Sequence, residues 1–242
     1  MLTNSIIMIK TVIYIIISCW IICIIRYFYC HEYEKETSKL ISINGLINKL
    51  NPGDILFIGG METSLGGTFG WGTIMSCFLD TYHFHPGIIS LNSEGEKVIW
   101  EYNGRRSKED GKMAFKDSNH IYVQPLTKYL KRYKRKFPLA SFQIYKCPIN
   151  QQYKFKTEYL RDIIYTLHNH IYGWNLLNIF SLSKQDTSLN LKIHCNEFVG
   201  KVLELTNCIN PIKNTSFEYL PKKLKDKLIN EGYNYNNKYR LV

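Results

Sequence analysis

Cys195 opens the stretch His194-Cys195-Asn196-Glu197-Phe198-Val199-Gly200-Lys201-Val202-Leu203. From Phe198 onward the apolar residues Phe198, Val199, Val202, Leu203 and Leu205 recur at helical spacing, which puts the thiol at the first turn of an amphipathic helix. A cysteine at that place meets unpaired backbone N–H groups and the positive end of the helix dipole, a setting that stabilises a thiolate. It still needs a base. His85-Pro86-Gly87-Ile88-Ile89-Ser90 offers one, a histidine leading a short β-branched run that reads as a strand. Lys97-Val98-Ile99-Trp100-Glu101-Tyr102 reads as the next strand, after a turn rich in Asn, Ser and Gly. A pairing centred near Ser93 sets Ile88 opposite Val98 and His85 opposite Glu101. Nucleophile, base and orienter then follow in the chain order His85, Glu101, Cys195.

The elements that must position these groups carry further motifs. His-x-Gly-Ile-Ile, a strand ending in Glu, and Cys-x-Glu-Phe-Val at a helix start resemble the circularly permuted papain-like branch of the NlpC superfamily, in the pattern of the YiiX-like bacterial proteins and their poxvirus relatives. Leu50-Asn51-Pro52-Gly53-Asp54-Ile55-Leu56-Phe57 is similar to that family's opening strand. Tyr172-Gly173-Trp174-Asn175 through Phe180 is similar to the segment before its cysteine helix, and Tyr219-Leu220-Pro221-Lys222-Lys223-Leu224 to the element after it. The resemblance spans roughly residues 50 to 225. Asn196 stands where Ser is commoner, Gly173-Trp174-Asn175 where Asp is usual, and Pro86 follows the histidine where an aliphatic residue is typical.

What the resemblance implies is an α+β, circularly permuted papain-like domain over residues 50–242, with an antiparallel sheet packed on helices. Cys195, His85 and Glu101 would form its catalytic triad, with the backbone N–H of Cys195 in the oxyanion hole. The substrate-binding residues expected around them are Asp54, Trp71, Tyr172, His194 and Asn196. The glycine-rich segment that holds Trp71 lacks the Gly-Lys-Ser/Thr ending of a phosphate-binding P-loop. Neither a cofactor nor a metal is called for.

With 242 residues, 45% of them hydrophobic, the chain is long enough for one substantial core. The apolar run before Arg26 has about the length needed to cross a bilayer, roughly 20 residues. It is read as a single-pass transmembrane anchor over 5–28, followed by a linker and amphipathic helix over 29–49 that includes Leu40, Ile43, Leu46 and Ile47. Counting Arg26, Lys35 and Lys39 on the far side of the span tilts the soluble domain to the cytoplasmic side. The net charge of +11 is concentrated at Lys128-Tyr129-Leu130-Lys131-Arg132-Tyr133-Lys134-Arg135-Lys136. That run is read as a solvated face able to meet anionic membrane lipid, with no motif for specific nucleic-acid binding.

The function expected from the sequence is a membrane-anchored thiol hydrolase or acyltransferase acting on an ester, thioester, amide or peptide bond. Two alternatives stand beside it. One is a catalytically silent, membrane-tethered binding module of the same fold. The other is a zinc-dependent hydrolase, with His83 and His85 on one strand face and Cys195 as a third ligand. The His168 and His170 pair, on a helix, would diverge.

Overall fold

The computed structural model describes residues 2–59, 83–103, 112–115, 120–137, 140–172, 192–212 and 219–242. Six helices are named here in chain order, α1 (Leu2–Thr37), α2 (Ile43–Lys49), α3 (Leu126–Lys136), α4 (Thr157–Tyr165), α5 (Cys195–Leu205) and α6 (Pro221–Asn230). Strands β1 (Lys39–Ile41), β2 (Ile55–Gly59), β3 (His83–Leu91), β4 (Lys97–Tyr102) and β5 (Lys112–Met113) come from the first half of the chain. The second half supplies β6 (Ile121–Pro125), β7 (Ser141–Lys146), β8 (Ile171–Tyr172), β9 (Lys192–Ile193) and β10 (Asn234–Leu241). Eight of the strands form one sheet in the order β1-β10-β7-β2-β3-β4-β6-β5, and β8 pairs with β9 apart from it.

The class is α+β, but two expectations about it are corrected. The sheet is mixed, because β1 runs parallel to β10 with Lys39 opposite Tyr239 and Ile41 opposite Leu241. Residues 39–49, expected as a linker and helix, thus add an edge strand and a short helix whose Leu46 is fully buried. Leu40 lies in the strand and is exposed.

The second correction concerns the anchor. Among the described residues no helix is long and apolar enough to cross a membrane. Helix α1 has exposed apolar side chains, with Lys10 among them. The transmembrane segment over 5–28, the single-pass placement with a cytoplasmic domain and the lipid partner held through it all lose their support.

The sheet buries residues on both faces, and the alternation of β3 and β4 decides which. Ile88, Val98, Trp100 and Tyr102 belong to one core with Phe198, Val199, Val202 and Leu203 of α5. Ile89 and Ile99 belong to a second core with Leu126, Tyr129, Leu130 and Tyr133 of α3. Because side chains alternate along a strand, Glu101 and His85 follow Ile99 and Ile89 onto the α3 side. Tyr102 points the other way and stacks on Phe198, ring centroids 5.3 Å apart, which fixes α5 against β4.

The turn before β2 shows why Asn51-Pro52-Gly53-Asp54 reads as a motif. Gly53 has φ +84°, a conformation open to glycine, and Pro52 precedes it, the chemistry of a tight turn. The Asp54 N–H donates to the Asn51 carbonyl at 3.1 Å, and the Asn51 N–H donates back to Asp54 Oδ2 at 2.7 Å. A Cβ at Gly53 would stand 2.5 Å from Phe155 and 2.6 Å from Cys147 Sγ, so the turn is also closely packed.

Gly200 is the contact on which α5 seats. A Cβ there would lie 2.5 Å from Tyr219 Cδ1, inside a ring that is 1% exposed and whose hydroxyl donates to Glu204 at 2.8 Å. Gly→Ala inside a helix ordinarily gains about 1 kcal/mol. Here overpacking, about 1–3 kcal/mol, opposes that gain against a ring tied down by its hydrogen bond. We expect Gly200→Ala to lower stability in urea denaturation; a stabilised variant would show that Tyr219 can yield.

Candidate functional site

Glu101 is fully buried on β4, and a carboxylate in that position must be hydrogen-bonded or neutralised. Three donors meet it. His85 Nε2 lies 3.2 Å from Oε2, Arg132 donates from Nη2 to Oε1 at 3.4 Å, and Gln124 donates from Nε2 to Oε1 at 3.4 Å. His85 comes from β3, Gln124 from β6 and Arg132 from α3, so four elements close on one carboxylate. Arg132 is itself 8% exposed and lies beside the paired rings of Tyr129 and Tyr133, its guanidinium carbon 5.2 and 5.3 Å from their centroids.

The strand pairing that brings His85 to Glu101 differs from the expected one by two residues. Ile88 stands opposite Trp100 and Ser90 opposite Val98, around a loop in which the Asn92 side chain accepts from the N–H of Glu94 and Glu96 at 3.1 and 2.7 Å. A slip of two keeps every side chain on its own face, whereas a slip of one would reverse them. His85 and Glu101 therefore meet diagonally rather than directly opposite.

Cys195 is a hydrogen-bond partner of the same imidazole. Burial alone would lower the pKa of His85, but hydrogen bonds to Cys195 and Glu101, with the negative charge of each, outweigh it and lift it to about 10. Asn196 Nδ2 donates toward Cys195 Sγ at 3.6 Å. The cysteine is the first residue of α5, as its spacing predicts, and His194 is the N-cap, whose Nδ1 accepts from the Glu197 N–H at 3.4 Å. With Nδ1 serving as an acceptor from the backbone, His194 is a capping residue.

The expectation of a membrane-anchored thiol hydrolase worked by a dedicated Cys195–His85–Glu101 triad is corrected on both counts. The membrane helix is not there among the described residues. The two ion pairs on Glu101 join it to His85 and to Arg132, with no cysteine in either, so the described contacts define a shared acid–base network and not a triad. The zinc alternative is corrected as well. Among the described residues no group of three His, Cys, Asp or Glu side chains could hold a metal ion. His83 Nε2 is engaged with Ser141 Oγ at 2.7 Å, and His85 with Glu101. Burial first, then Lys225 and Lys238, hold His83 well below the ordinary histidine range.

Asp54 is fully buried and accepts from the N–H of Asn51 and of Cys147 and from the Lys146 ammonium, contacts that tie the β2 turn to β7. Tyr172 lies in β8, its backbone opposite Ile193. Trp71 falls outside the described residues. His168 lies in the turn after α4 and stacks on Tyr165, and the His170 carbonyl accepts from the Tyr102 hydroxyl at 2.7 Å.

Arg132 is the site residue that reading the sequence missed. It sits inside a run of basic residues, and such runs are ordinarily solvated. Its signal was the helical period, since Tyr129, Leu130 and Tyr133 share a buried face with it.

No family model matches the chain, and no curated protein matches it.

Three outcomes follow from the network. His85, followed through its ring resonances by NMR, is expected to keep its proton at about pH 8, where an ordinary histidine with a pKa near 6.5 has lost it. Cys195→Ala removes one hydrogen bond and one negative charge from the ring, so its titration should move downward. Glu101→Ala leaves Arg132 buried beside an imidazole with no carboxylate between them, and is expected to cost about 3–5 kcal/mol in chemical denaturation.

Proposed function

We propose that the protein is a cysteine hydrolase or acyltransferase, with Cys195 as the nucleophile and His85 as its proton partner. The observation that carries this reading is the His85 ring bonded at once to Cys195 and to Glu101. The ordered motifs that resemble the permuted papain-like branch of the NlpC superfamily support it from the sequence side.

In this reading Cys195 attacks as its thiolate beside the His85 imidazolium, whose pKa near 10 keeps that ring protonated at neutral pH. Sγ attacks the carbonyl carbon of an ester, thioester, amide or peptide, and the carbonyl oxygen becomes an oxyanion. The donors proposed for that oxygen are the backbone N–H of Cys195 at the start of α5 and the Asn196 amide beside Sγ. The imidazolium passes its proton to the leaving amine, alcohol or thiol as the bond to it breaks, which leaves an acyl-thioester. Neutral His85 then takes a proton from water or from an acceptor nucleophile, whose attack on the acyl carbon releases Cys195. Glu101 and Arg132 act through His85 and are positioning residues.

The other buried cysteines make the test internally controlled. Cys147, Cys195 and Cys208 are 4%, 3% and 3% exposed, so reagent access does not separate them. Burial pushes the Cys147 thiol up to about 12 and raises Cys208 above its ordinary range. With iodoacetamide at about pH 6, Cys195 is expected to be alkylated at least ~10-fold faster than either, read peptide by peptide in a mass spectrometer. His85→Ala should remove most of that advantage. Equal rates at Cys195 in the wild type and in His85→Ala would sink the assignment and leave a binding module in its place.

A further inference from the structure

Outside the Cys195 site, the most organised charged surface is a cavity of about 690 Å³ along α3. Lys128, Lys131, Arg132 and Arg135 line it, with Thr127 and Glu96 at its wall. The four cations fall at i, i+3, i+4 and i+7, so one helix face presents all of them to one space. Lys128, Lys131 and Arg135 are exposed, while Arg132 is nine-tenths buried and held from behind by Glu101 and the two tyrosine rings. A guanidinium fixed in that way is a preorganised floor, and the exposed side chains above it are mobile donors that can close on an anion.

Size and lining narrow the occupant. Cavities of roughly 300–1,000 Å³ take small molecules, whereas a polymer is tracked by an open groove. Among the described residues no aromatic side chain lines this one to stack on a nucleobase. Glu96 and Thr127 instead offer an acceptor and a hydroxyl to neutral polar groups. We propose that the cavity on α3 is a binding site for a small, multiply phosphorylated polyol, gripped by Lys128, Lys131 and Arg135 over Arg132. The site does not depend on Cys195 being a nucleophile.

The test is calorimetric titration of the full-length protein with inositol hexakisphosphate at about 0.15 M salt, where long-range attraction is largely screened. Saturable binding with one site per chain is expected. Lys128→Ala/Lys131→Ala should weaken it by ~10-fold or more, since each removes a charge-assisted contact. Lys134→Ala/Lys223→Ala removes the same formal charge from positions that do not line the cavity, and should weaken it less than ~3-fold. Equal loss in the two pairs would reduce the effect to bulk charge and overturn the site. So would the absence of saturation, or tighter binding of a single-stranded RNA of matched charge.

Discussion

A carboxylate with no exposure to water sits at the centre of this fold, and the geometry around it follows from that fact. Taking Glu101 out of water costs several kcal/mol unless charge and hydrogen bonds replace the solvent. The replacements come from β3, β6 and α3, three elements that share no local sequence. Apolar packing tolerates small displacements of a strand or helix, but a hydrogen bond at 3.2 Å does not. The β3–β4 register and the docking of α3 are therefore pinned by one side chain, in a sheet whose apolar contacts would permit neighbouring alignments.

The same carboxylate shapes the chemistry of His85. Arg132, Glu101 and His85 form a chain of alternating sign. In the proposed reaction, with Arg132 and Glu101 ionised, proton transfer from Cys195 to His85 would convert one neutral arrangement into another. Without Arg132, the carboxylate would claim the imidazolium by itself and a thiolate would bring an unbalanced negative charge into the interior. A guanidinium is suited to this place because it stays charged when buried and stacks on the rings of Tyr129 and Tyr133. This sharing is also why a strict three-residue description fails.

Local pattern made several elements legible. The spacing of Phe198, Val199, Val202 and Leu203 placed Cys195 at the first turn of a helix, where the structure has it. The His85 and Lys97 runs form adjacent antiparallel strands as their alternation implies, and the two-residue error in register came from the loop, which is centred on Glu94 and not on Ser93. Parity survived that error, so His85 and Glu101 still share a face. Three features were hidden for different reasons. The parallel β1–β10 edge joins residues some 200 positions apart, beyond any local signal. Asp54 has the look of a site residue because turn chemistry and site chemistry use the same amino acids. The apolar run of α1 reads as a span by its composition, but among the described residues no helix is long and apolar enough to cross a membrane.

Three buried histidines show how the partner, more than burial, assigns the role. His83, His85 and His194 are 1%, 6% and 0% exposed, and for His83 and His85 desolvation favours the neutral form. His83 faces a serine hydroxyl, which accepts or donates without charge, and with Lys225 and Lys238 nearby its ring stays neutral. His194 accepts a backbone N–H at the start of α5, which occupies a lone pair and holds the ring in one orientation as a cap. Only His85 has a carboxylate on one side and a thiol on the other, and only there does the charge of the neighbours exceed the cost of burial. His194 is thus engaged as a cap by the hydrogen bond it already makes. His85, 110 positions upstream of Cys195, is held by Glu101, which gives a charged imidazole a partner.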